Sequence, residues 1–466
     1  MSSNEIFNNL PSDWYSIPLG QLVKKSNGII QTGPFGSQLH AEDYAIVGTP
    51  SIMPKNISVN GVNDTDIARI KATDLERLSR YQVKTGDIIY SRRGDVEKCA
   101  LISERENGWL CGTGCILIRL GHSEISPEFL HAYLSHPLVR AWVVRHAIGA
   151  TMPNLNTTIL SELPILVPPK KTRKCIKENW TNLTKKILIN SGVNQTLEQI
   201  AQALFKSWFV DFEPVKAKMA VLESGGSQAD ATLAAMTAIS GKDVDVLAFF
   251  EREHPEQYAE LKTTAELFPS AMQDSELGEI PVGWVSETLG AVLEPKKGKN
   301  ITKKTIEEGD IPVVAGGLAP AYYHSKYNVT GPVITISASG ANAGFVNLYH
   351  CDIWASDCSY INKTQTQFVY CFYTLLKTRQ KEITHMQQGA AQPHVYPKDI
   401  MRLVIVAPIT ALWQRLEKIL TSIYEQIGVH LAQNMCLESL RDTLLPKLLS
   451  GEITLPEAEQ IISEEA

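Results

Sequence analysis

A chain of 466 residues with 44% apolar and 20% charged content can build two to four packed domains, and its net charge of −6 excludes a uniformly basic nucleic-acid coat. No apolar run approaches 18 residues, and Met1-Ser2-Ser3-Asn4-Glu5 lacks the basic and apolar regions of a signal peptide, so a soluble, cytoplasmic protein without membrane contact is expected. The eight cysteines form no C-x-x-C pair and have no histidine at metal spacing, so no metal site is expected; Cys111 and Cys115 read as half-buried strand thiols.

The chain opens with Trp14 near Leu19-Gly20, followed by short segments punctuated by Gly, Pro and Asn, such as Gly86-Asp87-Ile88-Ile89-Tyr90, that read as strands. Gly149-Ala150-Thr151-Met152-Pro153 then precedes an apolar, Pro-bounded strand, Leu163-Pro164-Ile165-Leu166-Val167-Pro168. Next, Ile176, Trp180, Leu183, Ile187, Asn190, Asn194, Leu197, Ala201, Leu204 and Trp208 step by alternating 4 and 3, the seam of a coiled coil. A helix of about 36 residues would be about 54 Å long, too long for one compact module to cover.

A connector follows with no counterpart elsewhere, carrying 12 acidic and 5 basic residues over 216–280 and reading as a linker with one or two short helices. The pattern then returns. Trp284 stands near Leu289-Gly290, Gly331-Pro332-Val333-Ile334-Thr335-Ile336 reads as a strand, and Gly389-Ala390-Ala391-Gln392-Pro393 precedes Leu403-Val404-Ile405-Val406-Ala407-Pro408. The second seam runs through Leu416, Leu420, Ile423, Ile427, His430, Asn434, Leu437, Arg441, Leu444 and Leu448. The chain thus nearly repeats itself after about 240 residues, which predicts internal two-fold character.

The expected fold is mixed α/β: two pseudo-two-fold related modules joined by two long antiparallel coiled-coil helices. The divisions are a first module at 1–170, a first helix at 171–212, a connector at 213–280, a second module at 281–410, a second helix at 411–452 and a tail at 453–466. Both seams turn polar midway, at Asn190 and Asn194 and at His430 and Asn434. These positions either face water or meet one another and fix the register, making the helices a ruler. Apolar residues off the seam, among them Leu188, Phe205, Phe209, Leu431, Leu440 and Leu445, are expected to form a docking surface.

Several strings together identify a resemblance. Gly33-Pro34-Phe35-Gly36-Ser37, Gly86 to Gly94, Pro153-Asn154-Leu155-Asn156, Leu204 to Phe212 and Asp274 to Pro281 resemble the specificity subunit of type I restriction-modification systems over nearly the whole chain. The resemblance implies two target recognition domains, each reading half of a bipartite, asymmetric double-stranded DNA site across a spacer set by the helices. It implies two modification subunits that methylate adenine and restriction subunits that translocate and cut DNA. S-adenosylmethionine, ATP and Mg would belong to those partners, with no cofactor and no catalysis in this chain. Consistent with that, no Asn-Pro-Pro-Tyr-like motif, phosphate loop or nuclease carboxylate cluster is found; Gly298-Lys299-Asn300 lacks the flanking residues of a phosphate loop and reads as a solvated turn. A stand-alone DNA-binding protein, or an enzyme with an unrecognised site, is the alternative.

Base readout favours Arg or Lys on guanine and Asn or Gln on adenine. In the first module, Ser91, Arg92 and Arg93 at a strand end lead, the alternative being ion pairs with Asp87 or Asp95. Gly36, Ser37, Lys55, Asn56, Thr151, Asn154 and Asn156 complete the set. In the second module, Ser337, Ser339 and Asn342 match the arginine segment without its charge, Gln392 and His394 match the Thr151–Asn156 run, and Gly316 and Gly317 are loose analogues of the rest. Capping and turn bonds are the structural alternative for Thr151, Asn154, Asn156, Gln392 and His394.

Overall fold

The computed structural model describes residues 12–149, 153–388, 393–450 and 452–453. Contacts divide the chain into two units, Met1–Ser191 with Leu431–Ala466, and Gly192–His430. Both cuts fall inside the long helices, Lys170–Phe209 and Thr410–Ser450, so each unit takes one module and one half of each helix.

In the first unit the run Ile88–Ser91 is the third strand of an antiparallel sheet ordered Ile29–Thr32, Cys115–Arg119, Ile88–Ser91, Cys99–Leu101. Alternate residues of a strand point to opposite faces, and here both faces are covered. Ile88, Tyr90, Ile116 and Ile118 enter a core with Phe129, Tyr133 and Trp142, while Ile89, Cys115 and Leu117 face a smaller core with Ile52, Ile57 and Val62. Two-sided burial explains why these strands read as unbroken apolar runs. It also buries Cys111 and Cys115 fully, not by half, and desolvation pushes the Cys111 thiol up to about 12. A second sheet is ordered Leu110–Cys111, Thr49–Ile52, Ala68–Ile70, Tyr44–Ala45, and Tyr15–Pro18 pairs with Pro164–Val167 beside the long helix.

The second unit repeats this topology. Its sheets are ordered Lys296–Lys297, Cys358–Asn362, Val333–Ser337, Val346–Tyr349 and Tyr322–His324, Ile311–Val314, Trp354–Ala355, with Val285–Thr288 paired to Val404–Ala407. The mixed α/β fold expected from sequence is the one observed. The connector differs from expectation, holding four helices, Glu213–Glu223, Gln228–Ser240, Val244–Glu253 and Pro255–Glu266. Each is short but has its own start signal: Pro214 or Pro255 in the first turn, or a cap from Ser227 to Asp230 N and from Asp243 to Val246 N. The connector is fastened to the unit, not slung as a linker. Phe268 meets Trp208 edge to face at 5.3 Å, Lys218 Nζ donates to Phe268 O at 2.6 Å, and Glu260 pairs with Arg415 at 3.0 Å.

The long helices hold 40 and 41 residues, about 60 Å each at 1.5 Å per residue. In the first unit they run antiparallel: Asn190 Nδ2 donates to Asn434 Oδ1 at 2.9 Å and to Gln433 Oε1 at 2.8 Å, while the Arg441 guanidinium lies over the Trp180 ring at 5.0 Å. In the second unit Asn194 Oδ1 meets His430 Nδ1 at 2.8 Å and Phe209 meets Trp413 at 5.0 Å. The polar seam positions therefore meet one another, Asn190 and Asn434 buried and Asn194 and His430 half-buried. Around them Ile187, Leu420, Ile427 and Leu444 are buried and Leu183, Leu197, Leu204, Ile423 and Leu437 half-buried. Of the apolar residues expected to dock partners, Phe205, Phe209, Leu440 and Leu445 are instead core, because the helices bury more than one stripe; Leu188 and Leu431 are about half exposed.

Asn434→Leu alone strips Asn190 of a buried acceptor and is expected to destabilise the first unit by about 1–3 kcal/mol. Adding Asn190→Leu should recover most of that, since removing both partners leaves an apolar contact. Urea unfolding of the full-length single and double variants checks this; a double variant as unstable as the sum of both singles refutes it.

Candidate nucleic-acid interface

At the end of strand Ile88–Ser91 three segments converge. Arg92 N donates to Gly114 O at 2.8 Å, Arg92 O accepts from Leu155 N at 2.9 Å, and Arg93 bridges antiparallel to Asn154. Asn154 is itself paired with Ile148 through two backbone bonds of 3.0 and 2.8 Å. The turn closes at Gly94, whose φ of +72° suits glycine. Arg93 is exposed, and the Arg92 guanidinium lies 5.7 Å from the Phe35 ring, itself 52% exposed. The alternative of an ion-paired arginine couple does not hold. Asp87 is taken by Arg119 and Asp95 by Lys98 at 2.6 Å, leaving both arginines without an ion pair among the described residues.

The second unit builds the same crossing with different side chains. Ala338 N donates to Asp357 O at 3.1 Å, Ala338 O accepts from Val395 N at 3.0 Å, Ser339 bridges to His394, and His394 pairs with Gln388. Ser91 faces Cys115 and Ser337 faces Cys358 in the same register. Arg93 and Ser339, Asn154 and His394, and Gly94 and Gly340 therefore occupy matching places. Where the first unit offers guanidinium groups, the second offers a Ser339 hydroxyl donating to Asp357 and a His394 ring stacked on Tyr396 at 5.7 Å. Tyr396 is 40% exposed and carries Lys398 Nζ 5.4 Å from its ring centre.

Of the other expected contacts, some are buried or bonded within their own turns and some are exposed. Ser91 and Ser337 are buried, and their hydroxyls donate back to Arg93 O and Ser339 O, shaping the turns. Asn56 is 2% exposed and braces its own loop, accepting from Met53 N and donating to Asn63 O, both at 3.0 Å. Asn156 caps helix Thr157–Glu162 by accepting from Ile159 N at 2.8 Å, the capping alternative. Asn342 is half-buried within the Gly340–Gly344 turn. Gly36, Ser37, Lys55 and Gly317 are exposed, Lys55 Nζ reaching Asp66 O at 3.1 Å. A Cβ on Gly316 would come within 2.6 Å of Ser339 O, so that turn packs on the second crossing. Thr151 and Gln392 lie outside the described residues. Phe35 lies inside the Gly33–Ser37 segment expected to contact DNA, whereas Tyr396 and Lys398, two and four residues after His394, were not foreseen.

A profile of the type I restriction modification DNA specificity domain matches residues 11–199 and 281–436, one match for each module and most of its helix. The chain belongs to that family. It is 30% identical over 425 residues to the type I restriction enzyme HindI specificity subunit of Haemophilus influenzae, covering 83% of this chain and 90% of the relative. It is 25% identical over 334 residues to the MjaIX specificity subunit of Methanocaldococcus jannaschii, covering 66% and 65%. The solved S subunit of a type I restriction-modification system from M. genitalium aligns at 17% identity with a TM-score of 0.47 over 95% of this chain and 96% of that one. Among the described residues no helix is long and apolar enough to cross a membrane.

Proposed function

We propose that this chain is the DNA-recognition subunit of a type I restriction-modification complex, reading a bipartite, asymmetric double-stranded site and directing adenine methylation and cleavage by partner subunits. One observation carries the two-part reading: the same backbone crossing presents Arg92 and Arg93, without an ion pair among the described residues, in one module and Ser339 with His394 in the other. A guanidinium presents two parallel donors to a guanine edge, while hydroxyl, imidazole and carboxylate groups suit other bases. One scaffold with two unlike surfaces fits a target whose halves differ.

The helix pair is the element suited to fix the unread spacer, because its register is pinned by Asn190 on Asn434 and by Asn194 on His430. Two modification subunits and the restriction subunits would supply the chemistry, and S-adenosylmethionine, ATP and Mg would bind there. The decisive experiment maps methylated adenines genome-wide in cells with and without this chain, alongside co-purification with a cognate modification subunit. A single bipartite motif that vanishes with the chain is expected. Binding of the same motif by the chain with no methyltransferase in complex would favour the stand-alone reader.

A further inference from the structure

The register of the second module places a cationic segment where sequence gave only a solvated turn. Gly33 N donates to Cys115 O at 2.9 Å, and Gly298 N donates to Cys358 O at 2.8 Å, each just past the edge strand of its sheet. Since Cys115 and Cys358 hold the same register against Ser91 and Ser337, Gly298 is the counterpart of Gly33, and Lys299-Asn300 stand where Pro34-Phe35 stand. Gly316 and Gly317 follow strand Ile311–Val314, the counterpart of Thr49–Ile52, and so match the Met53–Lys55 turn.

Lys297, Lys299, Lys303 and Lys304 are all exposed, and none has an ion pair among the described residues. The nearby carboxylates are committed elsewhere or stand apart: Glu294 pairs with Lys296, Glu307 with Lys326 and Ser325, and Glu308 and Asp310 form no ion pair with these lysines. The segment is also held in place. Lys299 N donates to Ala355 O at 2.9 Å, Trp354 Nε1 donates to Lys299 O at 2.9 Å, and Ile301 N donates to Ser356 Oγ at 3.3 Å. Four uncompensated ammonium groups within eight residues repel one another, and a fixed backbone keeps them together. An anion of regularly spaced charges relieves that repulsion.

We infer that the segment Lys297–Lys304 is the phosphate-binding strap of the second module, gripping the DNA backbone beside the crossing at Ser339 and His394. Two strand spacings, about 10 Å, separate the edge strand from the strand that ends at Ser337, so backbone grip and base readout fall on one sheet, with Cys358–Asn362 between them. On the crossing itself the first module carries Arg92 and Arg93, where the second has Ala338 and Ser339; the second carries its lysine cluster at and just past the edge strand. This rests on the DNA-recognition reading above and adds which residues of the second module hold phosphate.

The test uses the full-length chain, a 30-base-pair random-sequence duplex as probe, and fluorescence anisotropy across a salt series. Each phosphate neutralised contributes a slope of about −0.9 to log affinity against log salt, so Lys297→Gln, Lys299→Gln, Lys303→Gln and Lys304→Gln combined should flatten the slope by about 3.6. The matching quadruple Lys→Arg variant should keep it. Independently of any variant, acetylation of the wild-type chain should label these four lysines less when duplex is present, with Lys262 on the connector unchanged. Unaltered slope in the Gln variant, or unprotected lysines in a wild-type chain that does bind duplex, overturns the strap alone. A wild-type chain that binds no duplex overturns the DNA-recognition reading together with it.

Discussion

A chain that ends at His430 is expected to lose the fold of its first unit, not merely a stretch of helix. The missing part carries Leu440, Leu444, Leu445, Leu448 and Leu449, all at most 5% exposed and all packed in the core that includes Ile88, Tyr90, Trp142 and Trp180. Burying one leucine contributes about 1.5–3 kcal/mol, and a typical domain is stable by about 5–15 kcal/mol in total. Five such losses rival the whole of that stability. Arg441 would go as well, leaving the Trp180 ring and the Asn60 side chain without their cationic partner. Limited proteolysis read by mass spectrometry should find 12–191 digested while 192–430 survives. Protection of 12–191 in the shortened chain would falsify the assignment of the helix end to that core. A milder companion, Leu444→Ala in the full chain, should cost about 2–5 kcal/mol.

The second large effect concerns Arg92 and Arg93. Replacing both with alanine is expected to weaken binding of the cognate target about 5- to 150-fold, the range that corresponds to about 1–3 kcal/mol for a bidentate arginine–guanine contact. The loss should follow one half-site. A duplex with that half scrambled should bind wild type and variant alike, whereas scrambling the other half should leave the difference intact. An equal loss on unrelated DNA would instead make the two arginines backbone contacts. Because neither side chain is ion-paired among the described residues, and both stand beyond the sheet's last ladder bonds, the substitution should leave the thermal unfolding midpoint nearly unchanged.

Much of this was legible in the residues because repetition and periodicity are local in sequence. The 4-and-3 spacing from Ile176 to Trp208 located a helix to within a few residues of Lys170–Phe209, and the two apolar Pro-bounded runs became Pro164–Val167 and Val404–Ala407. What sequence concealed was partnership. Asn56 and Arg92 are both polar residues in loops, yet Asn56 bonds to Met53 and Asn63 inside its own turn while the Arg92 guanidinium, among the described residues, meets only an aromatic face. Nor does spacing say that Asp87 prefers Arg119, 32 residues on, to the arginines a few residues away. The connector hid its four helices because each has 10 to 13 residues and an acidic surface, so its apolar stripe is thin and its caps carry the signal. The lysine segment hid for the opposite reason: its charge was plain, but only the ladder at Cys358 says which strand of the first module it matches.

The way the first unit is closed also sets a clock. Its sheets and its half of helix Lys170–Phe209 are present once residue 191 has been made, but the leucines that cover one side of its core come from 440–449, about 250 residues later. At about 5–20 residues per second, the ribosome needs roughly 12–50 s to produce them. For that interval the nascent chain carries an uncovered apolar face on an otherwise assembled module. Slow stretches of message after residue 191 would lengthen the exposure, and holding chaperones in the cell are the natural cover for it.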